Sequence, residues 1–214
     1  GYFRDGVADP AAVAALAPLP QTAGELTRMA TALGASAKSV TLGAAATETA
    51  VKTADLSRAR VVAFATHGLV AGEIEGLAEP ALVLTPPKVA SRDDDGLLTA
   101  SDAARLKLSA DWVVLSACNT AASDGTPGAD GLSGLARAFF YAGARTLLVS
   151  HWPVRDDAAA RLTTTAFAEL ARDPSIGRAE AMRRSMLALA ADPNDPSLAH
   201  PSAWAPFVVV GENR

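Results

Sequence analysis

Five short runs rich in Val, Leu and Phe, at residues 61–65, 81–84, 112–115, 147–149 and 207–210, place apolar side chains at consecutive positions rather than at every second one. A strand wetted on one face alternates; a strand covered on both faces does not. The runs therefore predict strands of a mostly parallel sheet packed between two layers. Residues 40–42 form a weaker sixth candidate.

Between the runs the period changes. Leu132, Leu135, Ala136 and Phe139 fall at i, i+3, i+4 and i+7, the stripe of an amphipathic helix, and Met182, Met186 and Leu189 repeat it. Residues 23–33, 48–54, 99–106 and 157–170 read as further helices, with Asp102 early in the third. Alternating strands and helices predict an α/β fold, a sheet sandwiched between helices. Residues 68–79, 86–95 and 121–130 have the composition of surface loops. Residues 1–20, rich in Ala and Pro, read as a connecting segment ahead of a main domain at 21–214.

Composition narrows the function. A chain of 214 residues suits one domain, and its apolar stretches fall well short of the roughly 20 residues that cross a bilayer. Nineteen basic against 23 acidic side chains give a net charge of −4, with no Lys/Arg cluster interleaved with aromatics. Neither nucleic acid nor membrane is expected as a direct partner. A single cysteine excludes an intrachain disulfide and fits a reducing, cytoplasmic location. The chain opens Gly-Tyr-Phe-Arg, with no Met and no secretory leader, as expected of an excised or processed fragment.

In open α/β sheets ligands gather beyond the carboxyl ends of the strands. Three apolar runs end in unusual chemistry: one enters His67-Gly68, one Cys118-Asn119-Thr120, and one His151-Trp152-Pro153-Val154-Arg155-Asp156-Asp157. A parallel sheet would bring all three to one edge. Cysteine attacks carbonyls as its thiolate, scarce at neutral pH with an unperturbed pKa of about 8.5, so a nearby imidazole is the usual activator. His67 can supply it, and the N–H groups of Gly68 and Cys118 could hold an oxyanion.

Plainer roles stand beside these. A cysteine ending a buried strand also serves as a small core residue, and a lone histidine as a structural one. His151 ends a strand too and competes with His67 as the base, although Trp152, Pro153 and Val154 beside it suggest a packed turn. His200 lies in the loop 192–201, exposed or capping the last strand. Asp156 and Asp157 either cap a helix or line the pocket for the residue before a scissile bond, where they would favour a basic side chain. Three scattered histidines and one cysteine lack metal-ligand spacing, so no metal and no cofactor is expected.

The segments APLPQTAGELTRMATALG, ATHG, LSACNTA, DGLSGLARAFFYAGARTLLVSHWPVRDDAA and HPSAWAPFVVVG occur in order across residues 17–211. Together they resemble the CHAT domain, a branch of the caspase, separase and gingipain group of cysteine peptidases. The resemblance implies a caspase-like three-layer α/β/α sandwich and a cysteine endopeptidase acting on a protein substrate, with catalytic residues Cys118 and His67. The separase-like W-x-V-x-D pattern falls on Trp152, Val154 and Asp156, where the aspartate is associated with recognition of arginine. At His151 relatives more often carry Leu or another residue. The family further implies a bacterial protein linked to defence or regulated cell death, controlled by a regulatory domain or activating partner absent from this chain. The alternative is a catalytically silent module of the same fold that binds a partner.

Overall fold

The computed structural model describes residues 3–4, 6–117 and 134–212. Strands β1 (Phe3–Arg4) and β2 (Val7–Ala8) form an antiparallel hairpin, followed by helices α1 (Pro10–Ala14), α2 (Thr22–Ala32) and α3 (Glu48–Thr53). Then come β3 (Val61–Ala65), β4 (Gly68–Leu69), β5 (Ala81–Val83), β6 (Leu97–Thr99), α4 (Ala100–Arg105) and β7 (Trp112–Ser116). The chain continues through α5 (Gly134–Tyr141), β8 (Thr146–Ser150), α6 (Asp156–Arg172), α7 (Arg178–Ala190) and β9 (Phe207–Gly211).

The central sheet has the order β3-β7-β8-β9, the first three strands parallel and β9 antiparallel to β8. Every residue of β7 and β8 is buried, which is why their sequences do not alternate. On one face Phe64, Val113, Leu115, Leu147 and Val149 join Leu135 and Phe139 of α5 and Ala103 of α4. On the other, Trp112, Val114 and Leu148 meet Met29 of α2, Leu162 and Phe167 of α6, and Met182 of α7. Phe64 and Phe139 lie 5.6 Å apart between ring centres, and Trp112 stacks on Phe167 at 4.7 Å. Each such side chain contributes about 1.5–3 kcal/mol by leaving water. The expected three-layer α/β/α sandwich is thus the observed one.

Two local expectations give way. The run at 81–84 is not in the central sheet: β5 pairs antiparallel with both β4 and β6 in a separate three-stranded sheet. It reads as doubly covered because Leu82 faces the main core while Ala81 and Val83 face a satellite core with Ala8 and Val13. Residues 40–42 are extended at Val40 and Leu42 but join no sheet; a groove of about 1630 Å3 is lined by both this segment and β3.

Helix starts follow their capping chemistry. Thr47 caps α3, and Thr99 with Asp102 forms a reciprocal capping box on α4. The Asp102 carboxyl also meets Lys52 at 3.0 Å and pairs with Arg105. At Gly143 φ is +112° and an added Cβ would lie 2.3 Å from the Leu108 carbonyl oxygen, so the turn from α5 to β8 requires glycine. Among the described residues no helix is long and apolar enough to cross a membrane.

Candidate functional site

Parallel neighbours β3, β7 and β8 end side by side, so the chain leaves them for His67, Ala117 and His151 along one edge of the sheet. The Thr66 N–H donates to the Ser116 carbonyl at 3.2 Å, carrying the β3–β7 ladder beyond its last strand pair. Ser150 Oγ donates to the Ala117 carbonyl at 2.6 Å and ties β8 to the same point. Cys118 and the loop at 121–130 lie outside the described residues, as does Leu132 at the start of the expected helix.

His67 is half-buried, and its Nε2 lies 2.7 Å from the carbonyl oxygen of Ala17. A carbonyl only accepts, so Nε2 donates, and in the neutral form of the ring the lone pair is on Nδ1. Ala17 belongs to the segment between α1 and α2. Four residues later the Gln21 N–H donates to Asp156 Oδ2 at 2.8 Å. One short segment thus fastens both the ring at the end of β3 and the carboxylate at the start of α6.

Gly68 is buried and pairs with Leu82 in the β4–β5 ladder. One residue before, the Val83 N–H donates to the His67 carbonyl at 2.9 Å. Antiparallel pairs alternate between bonded and non-bonded, so the Gly68 N–H turns away from β5.

A cavity of about 30 Å3 opens beside Ala117. Its walls include Glu25, Thr66, Ser116, Ser150, Val154, Asp156 and Phe207. Glu25 is only 1 % exposed and accepts from Thr163 Oγ1 at 2.7 Å. Burial pushes its carboxyl above the usual carboxylate range, against the hydrogen bonds of Thr163 and Ser116. Asp157, next to Asp156, turns to another partner: Arg155 grips it through Nε and Nη2 at 3.0 and 2.7 Å and also reaches Asp195 and Ser197. The hydrogen bond from Arg155 holds the Asp157 carboxyl below its usual range.

His151 is exposed, its N–H donating to the Pro206 carbonyl at 3.0 Å, and Trp152 beside it is 40 % exposed. His200 is exposed as well, and its Nδ1 accepts from the Ser202 N–H at 3.2 Å, capping a short 3-10 turn at Pro201–Ala203. Among the described residues no cluster of three or more His, Cys, Asp or Glu side chains could hold a metal ion.

Sequence reasoning missed Ala17, Gln21 and Glu25. The first two act through main-chain atoms. Glu25 did leave a signal: it stands one turn before Met29, a carboxylate within the apolar stripe of α2.

The family model described as the CHAT domain matches residues 6–212. Tetratricopeptide repeat protein 28 of Mus musculus is 38 % identical over 122 residues, and that of Homo sapiens is 36 % identical over 122 residues. The matched part is 55 % of this chain and 4 % of each relative, so the chain spans a small fraction of their length.

Proposed function

The chain belongs to the CHAT-domain family, a caspase-like group related to cysteine peptidases, and from that premise we propose that it is a cysteine endopeptidase domain with Cys118 as nucleophile and His67 as its base. One observation carries the reading. Val61 stands opposite Trp112 in the β3–β7 ladder, an offset of 51 residues, and His67 precedes Cys118 by the same 51. That the two separations are equal supports the reading that His67 and Cys118 follow adjacent strands at the same count along the chain.

In this mechanism Nδ1 of His67 takes the thiol proton, and the imidazolium is stabilised where its Nε2–H meets the Ala17 carbonyl. The thiolate adds to the peptide carbonyl, and the oxyanion is held by the N–H groups of Gly68 and Cys118. Such donors are worth about 3–4 kcal/mol of barrier each. The imidazolium returns its proton to the departing amine, leaving a thioester. Water, deprotonated by the same ring, then releases the carboxylic acid and restores the thiol. Asp156 on the cavity wall is the carboxylate offered to the side chain before the cut, and Asp157 anchors Arg155 behind it.

The two vertebrate relatives are named for tetratricopeptide repeats. A repeat region joined to this domain is the regulatory partner the reading expects, with a protein as substrate. The test is labelling by a thiol-directed peptide probe and cleavage of a peptide library, with Cys118→Ala abolishing both. Cleavage that survives the substitution overturns the mechanism. A thiol of ordinary reactivity that forms no acyl adduct would instead make the domain a binding module.

A further inference from the structure

Three acidic side chains are buried in the described structure: Glu25, Glu48 and Asp102. An ionised carboxylate out of water is costly without an opposite charge. Two of the three have one. Glu48 meets Lys52 at 2.5 Å, and Asp102 meets the same lysine at 3.0 Å. Among the described residues Glu25 has hydroxyl partners alone, Thr163 and Ser116; Arg28, the cation that acts on it, forms no ion pair with it.

What lies in front of Glu25 differs from what surrounds the other two. The cavity of about 30 Å3 beside Ala117 has room for about two water-sized groups, and a second carboxylate, Asp156, stands in its wall. Asp156 has one oxygen bound by the Gln21 N–H and no ion-pair partner among the described residues. The hydroxyl residues Thr22, Thr66, Ser116 and Ser150 add to the polar lining, and Leu19, Val154 and Phe207 contribute apolar surface. Ala117, at the edge, directly precedes Cys118 in the chain. Among the described residues, two carboxyls line this one space with no cation paired to either, and the apolar side chains beside them suit an aliphatic stem.

We infer that Glu25 is a specificity-determining residue, the floor of the pocket for the side chain preceding the scissile bond, and that with Asp156 it selects lysine or arginine there. The inference rests on the peptidase reading. An entering ammonium or guanidinium supplies the partner that Glu25 lacks. Asp156 meets the same cation from the side of α6. A neutral side chain of equal shape would leave both carboxyls unpaired, which is how a buried polar site rejects an isostere.

The experiment compares an acetylated peptide amide ending in arginine with its citrulline twin, a neutral near-isostere, by calorimetry on the Cys118→Ala chain. Tighter binding of the arginine peptide by about tenfold or more supports the inference, provided Glu25→Gln brings the ratio below about threefold and leaves citrulline affinity unchanged. An unchanged ratio in Glu25→Gln, equal binding of the two peptides to the parent, or no binding of the arginine peptide at millimolar concentration overturns it. Glutamine retains the acceptor for Thr163; if that variant does not fold, Glu25→Asp, which withdraws the carboxyl by one methylene, must reduce the ratio in its place. Cleavage by the chain with Cys118 intact is read separately. Discrimination without cleavage would overturn the peptidase reading and keep the pocket, whereas cleavage indifferent to Glu25 would do the reverse.

Discussion

Nε2 of His67 and the carbonyl oxygen of Ala17 lie 2.7 Å apart, a contact that fixes the tautomer of the ring before any substrate arrives. With Nε2 committed as donor, Nδ1 is the nitrogen that can take a proton. If this ring activates Cys118, His67→Ala will move the midpoint of the alkylation rate against pH upward, toward the value of about 8.5 of an unassisted thiol. Iodoacetamide labelling followed by mass spectrometry reads the shift. Identical profiles for the two proteins would separate His67 from the thiol.

Glu25 predicts a stability profile of defined sign. Burial raises its folded-state pKa, so its contribution is fully present below the unfolded value of about 4.3 and is lost as pH rises through the folded value. Glutamine does not titrate. In urea unfolding, Glu25→Gln should therefore gain on the parent protein as pH rises above the unfolded value of about 4.3 and through the folded one. A difference that is flat, or that runs the other way, contradicts the buried carboxyl.

Asp102 predicts the opposite slope. Burial pushes its carboxyl up, but the hydrogen bonds of Thr99 and the charge of Lys52 outweigh it, and the net shift is downward. Its stabilisation is present above the unfolded value of about 3.9 and lost as pH falls through the folded one. Asp102→Ala removes a capping box and leaves Lys52 with the Glu48 carboxylate and the Asp93 carbonyl, at an expected cost of about 1–2 kcal/mol at pH 7. The cost should shrink below about pH 4, measured again by urea midpoints.

Gly143 and Gly34 make a matched pair. Both have positive φ, +112° and +64°, but an added Cβ meets the Leu108 carbonyl oxygen at 2.3 Å in the first and open space in the second. Gly34→Ala should cost about 1 kcal/mol and Gly143→Ala about 3 kcal/mol or more. Thermal unfolding of the two variants side by side checks the ratio; equal costs would mean that the β8 turn yields to the clash.

The sandwich was legible because burial on both faces writes itself into β7 and β8 as unbroken apolar runs. The same rule misplaced β5, since a strand between two cores looks no different from one inside the main sheet. Nothing in 207–210 distinguished antiparallel from parallel pairing, because direction is set by the path of the chain and not by side-chain type. At the site, His67 was readable as a side chain with chemistry of its own. The Ala17 carbonyl and the Gln21 main-chain N–H were not, since any residue presents the first and any but proline the second. Glu25 hid inside a helical stripe, where the eye follows Leu26 and Met29.

The segment between α1 and α2 has a last consequence. It touches His67 through a main-chain carbonyl and Asp156 through a main-chain N–H, groups that every residue but proline supplies, at points four residues apart. Neither contact depends on the identity of a side chain, beyond excluding proline at position 21, but together they depend on the spacing: adding or deleting one residue puts one of them out of phase. Among homologues, this stretch should vary in spelling far more readily than in length.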